Sequence, residues 1–225
     1  MAIINNTHKF IFIHVPKAAG TSITKLFSQY TTFKDLEIGA TEFGEKIQSA
    51  YKERFGLSKH STANRIKDIV GSHWESFFKF SFVRNPYSRA FSIYNFLRQW
   101  EGCPDKYKLD IRRFSSFEEF VTSGYWDRNP GPDYIFMPQA YWLTDQNDKD
   151  QIMVDFVGKV EELDKIVGYI FERISENSHV EEVKVPFLNV SKGPPKINTF
   201  SSSVIQCINK KYARDFELFG YEFYS

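Results

Sequence analysis

Cysteine is scarce in this chain. Only Cys103 and Cys207 occur, far apart and without CxxC spacing. That excludes a disulfide-built scaffold and leaves no thiolate cluster for a metal, and it suits a reducing, intracellular setting. Long apolar runs are also missing. The stretch ahead of Pro16 holds about six apolar residues, too few for a signal-peptide core or a membrane span, and no later stretch is longer. The expectation is a soluble, cytoplasmic protein with no membrane span. Neither sign of charge dominates: the formal net charge is +1. A broad electrostatic surface for nucleic acid is excluded, so any anion must be held locally by a few placed donors.

What the chain has in plenty is phenylalanine, 23 residues of it, within an aromatic share of 17%. Bulky rings fill volume efficiently, so these residues build a Phe-rich core or, in part, a stacking surface for a sugar ring or purine. The length suits one domain over residues 1–225. KFIFIHV (9–15) and FFKFSFV (77–83) read as buried strands, and IMVDFV (152–157) as a third. Helices are expected from Gly20, over Glu42–Phe55 and Ala63–Val70, from Pro86 to about Trp100, over Ser116–Ser123, Val160–Ser175 and Ser203 to Phe219. Strands alternating with helices point to an α/β layered fold with a central parallel sheet flanked by helices.

Two strand ends carry chemistry. In HVPKAAGTSITKLF the chain leaves a strand, turns through small residues and enters a helix. Backbone N–H groups of Ala19, Gly20, Thr21 and Ser22 then surround a helix N-terminus, which favours an anion. Lys17 adds a full charge, and Thr21 and Ser22 add hydroxyls. The order is not that of a Walker A loop, which places its lysine directly after the second glycine. The plain alternative is an ordinary turn with a solvated lysine. FKFSFVRNPYSRAFSIYNF repeats the logic: Arg84 stands at a strand's carboxyl end, where open α/β sheets bind ligands, and Ser92 lies two turns into the next helix. A guanidinium and a hydroxyl so spaced suit a phosphate; a structural ion pair is the alternative. Arg89 is a third donor or a partner for a carboxylate. Two such strand ends imply a ligand with two separated phosphate-like groups.

These segments resemble the 5′-phosphosulfate and 3′-phosphate loops of the sulfotransferases that use 3′-phosphoadenosine 5′-phosphosulfate (PAPS), in particular their carbohydrate (type 2) branch with many bacterial members. In that family a PKxGxTS-like loop follows the first strand and RNPxxRxxSxY a later one. KHSTANRIKDIVG, DFVGKVEEL, LNVSKG and KYARDFELFGYEF extend the likeness over most of the chain. The resemblance implies a P-loop-like three-layer fold. It assigns Lys17, Ala19, Gly20, Thr21 and Ser22 to the 5′-phosphosulfate and Arg84 and Ser92 to the 3′-phosphate. PAPS would be the sulfuryl donor, no metal is called for, and the acceptor would be a hydroxyl, on a carbohydrate. One departure stands out: the family commonly has PKTGGTS where this chain has Ala18 and Ala19, so a hydroxyl contact is lost while backbone donation survives.

Sulfuryl transfer needs a base for the acceptor proton and a cation for the leaving oxygen. Lys17 suits the second task. His60, just ahead of a helix capped by Ser61 or Thr62, suits the first, because the positive helix end favours a neutral imidazole. His14 is the rival base, or a buried group that shapes the loop. Lys192-Gly193 matches a loop that closes over the nucleotide in the family. Glu118, Glu119 and Asp133 are candidates to orient the acceptor, and the aromatics of segment 125–142 to stack on it. A nucleotide kinase and a non-catalytic binding module are the competing readings.

Overall fold

The computed structural model describes residues 2–39, 41–175 and 197–225; Lys192 and Gly193 lie outside them. Among the described residues five strands are formed: β1 (Ala2–Asn5), β2 (Phe10–Ile13), β3 (Leu36–Ile38), β4 (Phe78–Val83) and β5 (Phe156–Lys159). The helices in the first half are α1 (Gly20–Phe27), α2 (Glu42–Phe55), α3 (Ala63–Val70), α4 (His73–Ser76), α5 (Pro86–Gln99) and α6 (Asp105–Arg112). The second half adds α7 (Phe117–Thr122), α8 (Tyr125–Arg128), α9 (Ala140–Leu143), α10 (Leu163–Ile174), α11 (Ser202–Lys211) and α12 (Ala213–Phe219). The described chain is organised as two compact units, residues 2–83 with 140–175 and residues 84–139 with 197–225.

The first unit holds the sheet, in the order β3-β1-β2-β4-β5. β2, β4 and β5 pair in parallel, as an α/β fold requires. The sheet is nevertheless mixed, because β1 runs antiparallel to both of its neighbours, β2 and β3. A local turn causes the reversal. Buried Asn5 accepts the N–H of His8 at 2.6 Å and donates to the carbonyl of Tyr30 at 2.9 Å, and Lys9 takes a left-handed φ of 54°. Strand pleating then sorts the side chains. Phe10, Phe12, Phe80 and Phe82 face one way and pack with Ile23, Leu26 and Phe27 of α1 and Leu163, Val167, Ile170 and Phe171 of α10. Lys79 and Ser81 alternate with them. Both are buried and both are satisfied: Ser81 donates to Ile13, while the Lys79 ammonium meets the carbonyls of Trp74 and Phe77 and the Asp155 carboxylate.

That contact also explains why β5 starts later than the apolar run 152–157. Asp155 is occupied with Lys79, Ile152 forms an isolated bridge to Thr144, and the strand begins at Phe156. The second unit is helical. Its core is aromatic, with Tyr87, Tyr94, Phe120, Tyr125, Trp126, Phe136, Tyr212 and Phe216 in one cluster. The expected tail helix breaks at Tyr212 into α11 and α12, because that buried ring sends its hydroxyl to the carbonyl of Phe136. No helix is long and apolar enough to cross a membrane among the described residues.

Candidate active site

The loop between β2 and α1 is built from an unusual backbone. Lys17 (φ 67°) and Ala19 (φ 56°) both occupy the left-handed region without being glycine. Such conformations are costly and persist only where the surroundings impose them. Ala18 donates its N–H to Val15, and Ser22 and Ile23 donate theirs to Ala19. This corrects one expectation: the Ser22 N–H belongs to the helix and is not offered to a ligand. Among the described residues the N–H groups of Ala19, Gly20 and Thr21 meet no acceptor. They converge at the N-terminus of α1 with Thr21 exposed, Ser22 buried and Lys17 half-buried. Oriented donors, a helix dipole and a lysine make an anion cradle.

Two histidines adjoin this cradle. The His14 ring lies directly on Gly20: a Cβ there would stand 1.7 Å from its Nε2. Its pKa is held well below the ordinary 6.5 by burial and then by the positive charge around His60, Lys59 and Lys17. The His60 ring sits 4.6 Å from the His14 ring, centroid to centroid, and its Nδ1 is 3.3 Å from the His14 carbonyl. A carbonyl only accepts, so Nδ1 is the donor in this contact. The segment around His60 is fixed from several sides. Trp142 donates its indole N–H to the His60 carbonyl, Gln48 accepts the Lys59 N–H, and Thr62 caps α3 by accepting from Arg65. His60 was expected just before a capped helix, and Thr62 is the cap.

In the second unit, Arg84 follows the last residue of β4 and Asn85 caps α5, accepting from Tyr87 and Ser88. Arg84 and Ser92 are both half-buried. Arg89 is not an open donor. It is fully buried, donates to the carbonyls of Met137 and Ile135, and lies over the Tyr212 ring.

A family model described as the sulfotransferase family matches residues 1–222. The chain belongs to the sulfotransferase family. Among curated proteins it is similar to Carbohydrate sulfotransferase 14 of Danio rerio, 24% identical over 97% of this chain and 61% of that protein. The chain therefore spans about three fifths of the length of that relative. No solved structure matches.

Within this family member, several other candidates have local partners or a fixed backbone. Glu119 accepts from Ser115, Glu118 accepts from Ser201, and Asp133 stands in a left-handed turn. In the aromatic segment 125–142, Tyr125, Trp126, Phe136 and Trp142 are buried, leaving Tyr134 and Tyr141 exposed. Gln139 and Asp215 are residues that sequence reasoning did not single out for the site, and Trp142 was read only as a ring to stack on the acceptor. Their roles come from hydrogen bonds across more than 50 positions, 82 for Trp142 to His60 and 55 for Gln139 to Arg84, and no local pattern signals such contacts.

Proposed function

We propose that this protein is a PAPS-dependent sulfotransferase whose acceptor is a carbohydrate hydroxyl, with His60 as base and the cradle of Lys17, Ala19, Gly20 and Thr21 as the 5′-phosphosulfate site. The observation that carries the reading is the juxtaposition of His60 with that cradle. One histidine donates from Nδ1 to a backbone carbonyl, which makes Nε2 the nitrogen assigned to the acceptor proton in this reading, and its ring lies 4.6 Å from that of the histidine that touches the first residue of the anion-binding helix. Family membership and the printed name of the relative support the donor and acceptor classes. Arg84 and Ser92 take the 3′-phosphate in this proposal.

The reaction follows from these roles. The acceptor oxygen attacks sulfur in line with the bridging oxygen, and the S–O bond to the 5′-phosphate breaks with its electron pair going to that oxygen. The hydroxyl proton passes to His60 Nε2. Lys17 and the loop N–H groups meet the charge that builds on the departing phosphate. The proposal includes a cytoplasmic setting, in keeping with two unpaired thiols at Cys103 and Cys207.

The test is transfer of labelled sulfate from PAPS to a glycan panel. His60→Ala should lower turnover by about 10²–10⁴-fold, the usual worth of a general base, while 3′-phosphoadenosine 5′-phosphate still binds. Arg84→Ala should weaken that binding by about 10- to 100-fold, from the loss of a charge-assisted hydrogen bond. Wild-type turnover in His60→Ala would refute the base assignment.

A further inference from the structure

The RNPYSRAFS segment contains a second arginine that makes no use of its charge at the surface, and the C-terminal KYARDFELFGYEF segment has no part in the site as described so far. The two meet in one buried network within the second unit. Gln139 is fully buried, and its side-chain amide pairs with both main-chain groups of Arg84. The Arg84 N–H donates to Oε1 at 2.8 Å, and Nε2 donates to the Arg84 carbonyl at 2.8 Å. The N–H of Gln139 in turn donates to a carboxylate oxygen of Asp215 on α12 at 2.8 Å. Asp215 is itself fully buried and supplies the countercharge to Arg89. Arg89 ties down the strand of chain leading to Gln139 through the carbonyls of Ile135 (3.1 Å) and Met137 (3.0 Å). Tyr212, stacked beneath Arg89, takes the carbonyl between them, that of Phe136, at 3.3 Å.

Carboxylate, guanidinium and amide in such a place are expensive to bury unless every group is paired. Stability alone is served as well by apolar side chains of similar volume. What the network does achieve is geometric. Arg84 follows the last residue of β4, and Gln139 holds its main chain by imitating a strand's donor and acceptor. A long, flexible guanidinium side chain binds with discrimination only if its root is held still.

We infer that Gln139 is a positioning residue for recognition of the 3′-phosphate, clamping the backbone of Arg84, with Arg89 and Asp215 holding the clamp. The inference rests on the proposed reading in which Arg84 meets that phosphate. It makes the C-terminal helix α12, remote in sequence, part of the donor-recognition machinery.

The experiment compares the affinity of two nucleotides, 3′-phosphoadenosine 5′-phosphate and adenosine 5′-phosphate, by calorimetry in wild type and in Gln139→Met. Their affinity ratio reads the 3′-phosphate contact alone. Wild type should prefer the 3′-phosphorylated nucleotide. In Gln139→Met that preference should fall by about 10-fold or more, while affinity for adenosine 5′-phosphate holds. A preference that survives Gln139→Met overturns the inference; equal losses for both nucleotides, the mark of a merely structural role, overturn it as well. Absence of any preference in wild type would instead overturn the underlying reading of Arg84. Should Gln139→Met fail to fold, amide hydrogen exchange in ligand-free wild type decides. Protection of the Arg84 N–H comparable to that of β4 supports the clamp, and rapid exchange there refutes it.

Discussion

Replacing Gly20 by alanine tests the tightest contact in the candidate site. The added Cβ would lie 1.7 Å from Nε2 of His14 and 2.3 Å from its Cδ2 and Cε1. No residue can occupy that position unless the ring moves. The ring has little room, since it stacks against Phe12 at 6.1 Å and meets the tilted His60 ring at 4.6 Å. Gly20 has an ordinary helical backbone, so nothing else opposes the substitution. Overpacking of this kind costs about 1–3 kcal/mol, offset by at most about 1 kcal/mol of helix propensity gained over glycine. In a His14→Ala background the obstacle is gone and only the gain remains. A double-mutant cycle over Gly20→Ala and His14→Ala should therefore show a coupling of about 2 kcal/mol. Urea unfolding of the four proteins measures it, and in thermal melts it corresponds to roughly 4–8 °C at this chain length. A coupling below about 0.5 kcal/mol, within ordinary additivity, would refute the claim that the His14 ring rests on Gly20.

Three further outcomes follow from the structure. His14 is kept neutral in the fold by burial and neighbouring positive charge, with its pKa depressed below 6.5. Below that pH the unfolded chain takes up a proton the folded one refuses, so stability falls as the solution is acidified. Melting curves from pH 7.5 to 5 should slope less steeply for His14→Gln than for wild type, and equal slopes would contradict this. Asn85→Ala removes the side chain that caps α5 by accepting from Tyr87 and Ser88; it should cost about 1 kcal/mol, read as a Tm lowered by roughly 2–4 °C. Lys79→Met strands two carbonyls and the Asp155 carboxylate. The penalty is about 2–3 kcal/mol, short of a fully buried pair because Asp155 is half-exposed, and a loss under 1 kcal/mol in urea unfolding would show that water replaces the ammonium.

Much of the fold was legible locally. Periodicity and caps place α2 and α3 where they form, with Thr41 and Thr62 as N-caps and Gly56 and Gly71 at the ends. The strand-to-helix junctions ahead of α1 and α5 were also readable from their turn residues. What escaped depends on partners distant in sequence. β3 is three residues long within a polar stretch and exists through its pairing with β1. Arg89 looks like a surface donor until Asp215 and Tyr212 arrive from the far end of the chain. Gln139 carries no motif at all, and its meaning lies in the main chain of Arg84. The place of His60 before a cap was readable, but its contact with the carbonyl of His14 spans 46 positions.

The reversal of β1 bears on the order in which the chain assembles. The β1–β2 hairpin closes over a short turn and can form early, since local loops cost little entropy. Its apolar face then waits. Phe10 and Phe12 are completed only by Phe80 and Phe82 of β4, and β4 in turn by β5 near residue 156. At synthesis rates of about 5–20 residues per second the wait is on the order of several seconds. β3 covers the β1 edge and α1 part of the apolar face in the meantime, but the β2 edge stays unpaired until β4 emerges. An open β2 edge over that interval is the part of the sheet most exposed to non-native pairing.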